Sequence, residues 1–228
     1  AYSFEGLNKY RDGGVDIVYT ISEEVVDGYE TTINGYNVTN THKPGTVDIT
    51  GIKTWDDNNN QDGIRPSSIT VRLYANGKEI ASKEVKGNSW TYEFTGLDKY
   101  SEGKLITYTI DEDSVDGYEK EVNGYDITNT HTPEVINVSG TKTWIDNNNQ
   151  DGLRPENITV ILLADGEEVT SVKVKKKSNW TYEFKNVPKF KNGTEINYSV
   201  SEVKVDNYST KVDGMNITNT HSPEKITI

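Results

Sequence analysis

Three residue types recur together in this chain, and together they have the parts for making a covalent bond. They are Lys53, Glu112 and Asn129, and again Lys142, Glu202 and Asn219. A lysine in apolar surroundings gives up its proton more readily, because burial disfavours the charged form, and the neutral amine is a nucleophile. A carboxyl in the same surroundings keeps its proton and can serve as a general acid. Asparagine offers a carboxamide carbon. Attack of the lysine nitrogen on that carbon, with the glutamate shuttling protons and polarising the carbonyl, expels ammonia and leaves a Lys–Asn isopeptide bond. Nothing turns over in such a reaction. It is a single self-modification, and no enzyme acting on an external substrate is expected.

Such chemistry requires elements that carry all three groups into one apolar space. Val138-Ser-Gly-Thr-Lys-Thr-Trp144, with its near copy Ile49-Thr-Gly-Ile-Lys-Thr-Trp55, alternates like a strand. Val138, Gly140, Lys142 and Trp144 fall on one face and Ser139, Thr141 and Thr143 on the other, so the lysine interrupts an apolar stripe. The same period puts Ile106, Tyr108, Ile110 and Glu112 together, as it does Ile196, Tyr198, Val200 and Glu202. On the last strand Tyr125, Ile127 and Asn129 share a face, and so do Met215, Ile217 and Asn219. Three strands that each aim one polar group into a small core are costly unless the three groups meet. An alternative use of the trio is a buried ion pair hydrogen-bonded to an amide.

The trios belong to a repeat of about 90 residues. The ending Asn34-Gly-Tyr-Asn-Val-Thr-Asn-Thr-His42 returns at 123–131 and, as Asp213-Gly-Met-Asn-Ile-Thr-Asn-Thr-His221, at 213–221. Residues 1–44 match the second half of a repeat, 45–133 and 134–222 are complete ones, and 223–228 repeat the opening Pro133-Glu-Val-Ile-Asn-Val138. The chain therefore reads as a piece of a longer array. The half repeat keeps Glu23 and Asn40 but has no lysine strand, so both are expected to stay unreacted. Within one repeat, strands are expected at Val47–Trp55, Ile69–Ala75, Glu79–Val85, Trp90–Thr95, Leu105–Glu112, Tyr118–Val122 and Gly124–His131, with a tight Asn76-Gly77 turn that becomes Asp165-Gly166 in the next copy. Seven short strands per repeat predict an all-β fold of tandem Ig-like sandwiches, joined by short linkers into a beads-on-a-rod array.

Composition narrows the classes further. At 228 residues, with 32% hydrophobic and 26% charged, the chain suits small β domains rather than one large core. A net charge of −12 excludes nucleic acid and an anionic membrane surface as partners, since both reward clustered Lys and Arg. Lys175-Lys-Lys177 alone runs basic and reads as a solvated hairpin. Without cysteine there are neither disulfides nor thiolate metal sites, and no stretch is long and apolar enough for a membrane-spanning helix. No cofactor or resident metal is implied. Asp57-Asn-Asn-Asn-Gln-Asp62 and Asp146-Asn-Asn-Asn-Gln-Asp151 are oxygen-rich but lack the EF-hand spacing, leaving calcium or a self-bonded Asx loop as readings. His42, His131 and His221 occupy one repeat position each and read as structural, and Arg65 and Arg154 read as pins for their loops.

The ordered motifs Gly140-Thr-Lys-Thr-Trp-Ile-Asp-Asn-Asn-Asn-Gln-Asp-Gly-Leu-Arg-Pro155, Tyr198-Ser-Val-Ser-Glu202 and Ile217-Thr-Asn-Thr-His221 resemble the B-type repeats of Gram-positive collagen adhesins, the CnaB domains. The resemblance covers almost the whole chain. It implies a prealbumin-like sandwich in the stalk of a wall-anchored surface protein, cross-linked between the first and last strands of each repeat. Motif by motif it gives the nucleophile role to Lys53 and Lys142, the proton shuttle to Glu112 and Glu202, and the acceptor role to Asn129 and Asn219. It also implies an extracellular location, with a sortase signal, a wall-spanning region and a matrix-binding region outside this stretch. A second reading makes the repeats themselves a binding module for host matrix protein or glycan, through exposed aromatics such as Tyr29, Tyr118 and Tyr208. An exposed apolar cluster of these tyrosines would favour that reading, and single burial would oppose it.

Overall fold

β-Branched and aromatic residues alternating with polar ones make strands almost throughout the computed structural model, which describes every residue except Asn88. Among the described residues there is no α-helix, and the basic stretch ends in an exposed 3₁₀ turn, Lys176–Ser178. The principal strands are β1 (Glu30–Asn34), β2 (Asn37–Thr41), β3 (Thr46–Asp56), β4 (Ser68–Ala75), β5 (Lys78–Lys86), β6 (Thr91–Asp98), β7 (Tyr108–Glu112), β8 (Glu119–Asn123) and β9 (Asp126–Thr130). The pattern repeats as β10 (Val135–Ile145), β11 (Asn157–Ala164), β12 (Glu167–Lys175), β13 (Thr181–Pro188), β14 (Tyr198–Glu202), β15 (Ser209–Asp213) and β16 (Asn216–Thr220).

The chain divides into two compact units, residues 1–49 with 93–107, and residues 50–92 with 108–228. The first contains the β1–β2 hairpin, whose residues are exposed apart from a half-buried Val38. The second contains both complete trios. In the second repeat a four-stranded sheet of order β8-β9-β3-β6 accompanies a three-stranded sheet β7-β4-β5; in the third these become β13-β10-β16-β15 and β12-β11-β14. Each pair of sheets forms a β sandwich. Alternation on β4 buries Ile69, Val71 and Leu73, and the equivalent Ile158, Val160 and Leu162 on β11 join Val174, Tyr182, Phe184, Val200 and Ile217 in one core.

Two backbone features make this arrangement possible. The turns between β4 and β5 and between β11 and β12 hold Asn76, Gly77, Asp165 and Gly166 at positive φ, the geometry of a two-residue hairpin and the reason Asn/Asp-Gly stands there. Gly140 on β10 lets the chain pass so close to β16 that an added Cβ would overlap the Met215 carbonyl oxygen and press on the Tyr182 hydroxyl; Gly51 stands in the same relation to Tyr125 and Tyr92. Tyr182 and Tyr92 donate their hydroxyls to those same carbonyls.

One expected strand is divided. Leu105–Glu112 is interrupted because the Ile106 amide donates to the Lys99 carbonyl at 3.1 Å; Lys104–Leu105 pairs with Tyr100–Ser101, and only Tyr108–Glu112 pairs with β4. The third repeat breaks identically, with Ile196 donating to Lys189.

Candidate functional site

The first and last strands of each complete repeat lie side by side and parallel. Lys53 on β3 is opposite Ile127 on β9, and Asn129 is opposite Trp55, which makes Lys53 and Asn129 diagonal neighbours on one sheet face. Lys142 and Asn219 have the same relation through Lys142 opposite Ile217. The glutamate comes from the other sheet: Glu112 ends β7 opposite Val71, and Glu202 ends β14 opposite Val160. Lys53 Nζ lies 3.8 Å from Glu112 Oε1, and Lys142 Nζ lies 2.9 Å from Glu202 Oε1, with no side-chain exposure in either pair. Asn129 and Asn219 are equally buried.

A tryptophan closes each site. Lys53 Nζ sits 4.0 Å from the Trp55 ring centre and Lys142 Nζ 4.5 Å from that of Trp144, a contact that favours the cation only modestly. Polar satisfaction is poor for so buried a cluster. Neither amide atom of Asn129 or Asn219 completes a hydrogen bond, nor does either carboxylate oxygen of Glu112, nor Glu202 Oε1, nor Lys142 Nζ despite its 2.9 Å approach. Lys53 donates only to the neighbouring Thr54 carbonyl, at 2.9 Å. An orphaned buried polar group costs on the order of 1–3 kcal/mol, so two such clusters in one chain are held against their own energetics.

Burial also moves the proton equilibrium. It lowers the pKa of Lys53 to about 8, against the opposing charges of Glu112 and Asp57, and it lowers that of Lys142 against Glu202. Glu112 moves up, again because of burial, with Lys53 and the nearby Asn129 carboxamide pulling the other way. Lysine falling and glutamate rising both favour the neutral amine beside the protonated acid, the pair that amide chemistry requires.

The half repeat differs. Glu23 and Asn40 are exposed, and Thr31 Oγ1 stands between them, 3.1 Å from Glu23 Oε2 and 2.7 Å from Asn40 Oδ1. This third position escaped the sequence reading. Thr31 is opposite Asn40, Lys120 opposite Asn129 and Thr210 opposite Asn219, nine residues earlier in each hairpin. A polar residue on an exposed hairpin carries no signal by type; only its fixed offset from the asparagine could have pointed to it.

The Asp/Asn loops are self-satisfied. Asp57 is buried and accepts both arms of Arg65, the Asn60 amide at 2.9 Å and the Tyr118 hydroxyl at 2.8 Å; burial alone would raise its pKa, but these donors outweigh it and hold it at about 2. Asp146 repeats this with Arg154, Asn149 and Tyr208. The guanidinium thus occupies the carboxylate that a cation would need, and no cluster of metal-ligating residues occurs among the described residues. Tyr118 and Tyr208 are therefore not the exposed aromatics expected from the sequence. Each packs edge-on against Trp55 or Trp144 at 4.9 Å, drawn inward by the buried aspartate; Tyr29 remains exposed. An open cavity of about 710 Å³ in the first unit is lined by Tyr2, Phe4, Leu7, Tyr19 and Tyr36. Tyr2 and Phe4 hold the repeat positions of the buried Tyr92 and Phe94, which marks it as a core face.

The far end of the same loop joins the second repeat to the third. Asp62 Oδ2 accepts from His131 Nε2 at 2.9 Å and from the Glu134 amide at 2.8 Å, while His131 Nδ1 faces the Gly117 carbonyl at 2.8 Å. The Gly193 amide donates to the Gln61 carbonyl at 3.0 Å, and an added Cβ on Gly63 would strike the Gly193 backbone. His221 bonds Asp151 and the Asn207 carbonyl in the same way at the end of the third repeat.

The model of the Cna protein B-type domain matches residues 1–41, 49–130 and 138–220. The collagen adhesin of Staphylococcus aureus is 45% identical over 97% of this chain, which spans 19% of the adhesin's length. A crystal structure of two B repeat units of the collagen-binding protein of the same species superposes with a TM-score of 0.75 at 43% identity, covering 96% of this chain and 61% of that one.

Proposed function

Since the chain belongs to the family of Cna protein B-type domains, we propose that it forms structural stalk repeats of a Gram-positive surface adhesin, locked by intramolecular isopeptide bonds Lys53–Asn129 and Lys142–Asn219. The observation that carries this reading is the buried, largely unsatisfied Lys–Glu–Asn cluster, present in both complete repeats. In the reaction, the lysine passes a proton to the glutamate and its neutral nitrogen attacks the asparagine Cγ. The protonated glutamate polarises the carboxamide oxygen, then moves a proton from the attacking nitrogen to the departing amide nitrogen. The C–N bond of the carboxamide breaks and ammonia leaves, taking up the proton that the glutamate first accepted from the lysine ammonium and departing as ammonium. Each bond therefore lowers the mass of the chain by one ammonia, and the glutamate returns to its carboxylate form.

The collagen adhesin that this chain resembles is a far longer protein, and the remainder of such a protein would supply the wall anchor and the ligand-binding region. In this role the repeats at 45–133 and 134–222 act outside the cell as covalently closed spacers, with no catalytic turnover of their own. Intact mass under denaturing conditions tests the reading: the chain should weigh less than its sequence by two ammonia molecules. An unmodified mass would overturn it.

A further inference from the structure

We propose that the residue opposite the asparagine on the last hairpin positions the glutamate carboxyl, a role that Thr210 fills in the third repeat and that Lys120 leaves unfilled in the second. The proposal rests on the cross-linking reading above and concerns how fast each bond forms. Thr210 Oγ1 donates to Glu202 Oε2 at 3.1 Å, while Oε1 lies 2.9 Å from Lys142 Nζ. In the second repeat the same position is a lysine whose ammonium bonds Asp111 Oδ1 and the Glu112 backbone carbonyl instead. Neither carboxylate oxygen of Glu112 then has a hydrogen bond, and Oε1 stands 3.8 Å from Lys53 Nζ.

The half repeat shows what the hydroxyl can reach. Thr31 Oγ1 lies within hydrogen-bond distance of both Glu23 Oε2 and Asn40 Oδ1, and its single proton can serve only one of them at a time. A threonine here pins one carboxyl oxygen beside the carboxamide and frees the other to exchange a proton with the amine. Lys120 cannot do this while it is bound to Asp111, and its positive charge also favours the ionised form of Glu112 over the acid that the reaction uses. Proton transfer depends on alignment at the ångström scale, so losing the pin should slow bond formation about tenfold.

The test is cell-free synthesis of the whole chain, quenched in acid at intervals, with linked and unlinked peptides of each repeat counted by mass. The Lys142–Asn219 bond should form faster than Lys53–Asn129. Thr210→Val should slow the third repeat about tenfold, Thr210→Ser should restore it, and Lys120→Thr should accelerate the second. A serine that rescues, or a gain of rate in the second repeat, is beyond what a purely structural threonine would give. Equal rates in the two repeats, or a Lys120→Thr variant no faster than the parent, would overturn the proposal while leaving the cross-linking reading intact. Absence of both bonds in the unsubstituted chain would overturn that reading itself.

Discussion

Replacing Glu112 with glutamine separates the chemistry of the second repeat from its packing. Glutamine keeps the glutamate's shape but cannot carry a proton between amine and carboxamide, so Lys53 and Asn129 should remain unlinked in a folded repeat. Two measurable effects follow. The bond would close a loop of about 76 residues, and by analogy with disulfide loop entropy its absence lowers stability by about 4 kcal/mol. The lysine also becomes titratable. Burial holds Lys53 at about 8 even with Glu112 opposing, so without that carboxylate it titrates at about 8 or below, while the unfolded chain keeps the ordinary 10.5. Between those values the unfolded state binds a proton that the folded state does not. Stability must therefore rise with pH across the window, by about 3 kcal/mol or more over its full width, and stay level below it. In a parent protein cross-linked as proposed, the same nitrogen would be an amide with no such titration. Urea unfolding followed by tryptophan fluorescence from about pH 7 to about pH 10, with intact mass on each sample, reads both effects. A variant that still loses two ammonia molecules, or an unlinked one whose stability does not climb with pH, would refute the reasoning.

Two more predictions concern load and pH. Pulled by its ends, the chain should not release the Lys53–Asn129 span, whereas Lys53→Ala should add one extension event of about 250 Å; a parent protein that extends like the variant would remove the physical basis of the stalk reading. At the joint between the second and third repeats, both ring nitrogens of His131 face acceptors, so the imidazolium is the bound form, and its pKa is raised first by Asp62. The stabilisation is complete below the ordinary 6.5 and is lost as pH rises through the raised value, a slope that Asp62→Asn should flatten in urea melts monitored alongside His131 proton resonances.

Much of this was legible along the chain, because a strand's side chains alternate whatever it packs against. That period alone placed Lys53, Glu112 and Asn129 on apolar faces, and the Asn76-Gly77 turn announced its own geometry. Other features depended on partners distant in sequence. Nothing local distinguishes a parallel from an antiparallel neighbour for β3, yet the parallel register with β9 is what makes Lys53 and Asn129 diagonal. Tyr118 and Tyr208 looked like surface aromatics until buried Asp57 and Asp146 supplied acceptors for their hydroxyls. The division of the 105–112 strand follows from the Ile106 amide finding the Lys99 carbonyl rather than a ladder partner. Thr210 and Lys120 are ordinary polar hairpin residues in sequence, and only the facing sheet, which brings Glu202 within hydrogen-bond distance of one and leaves Glu112 unpinned beside the other, gives them different consequences. The alternation of side chains is a property of one strand's backbone, whereas register and facing arise when two sheets bury their apolar faces together, and that step the tertiary structure alone decides.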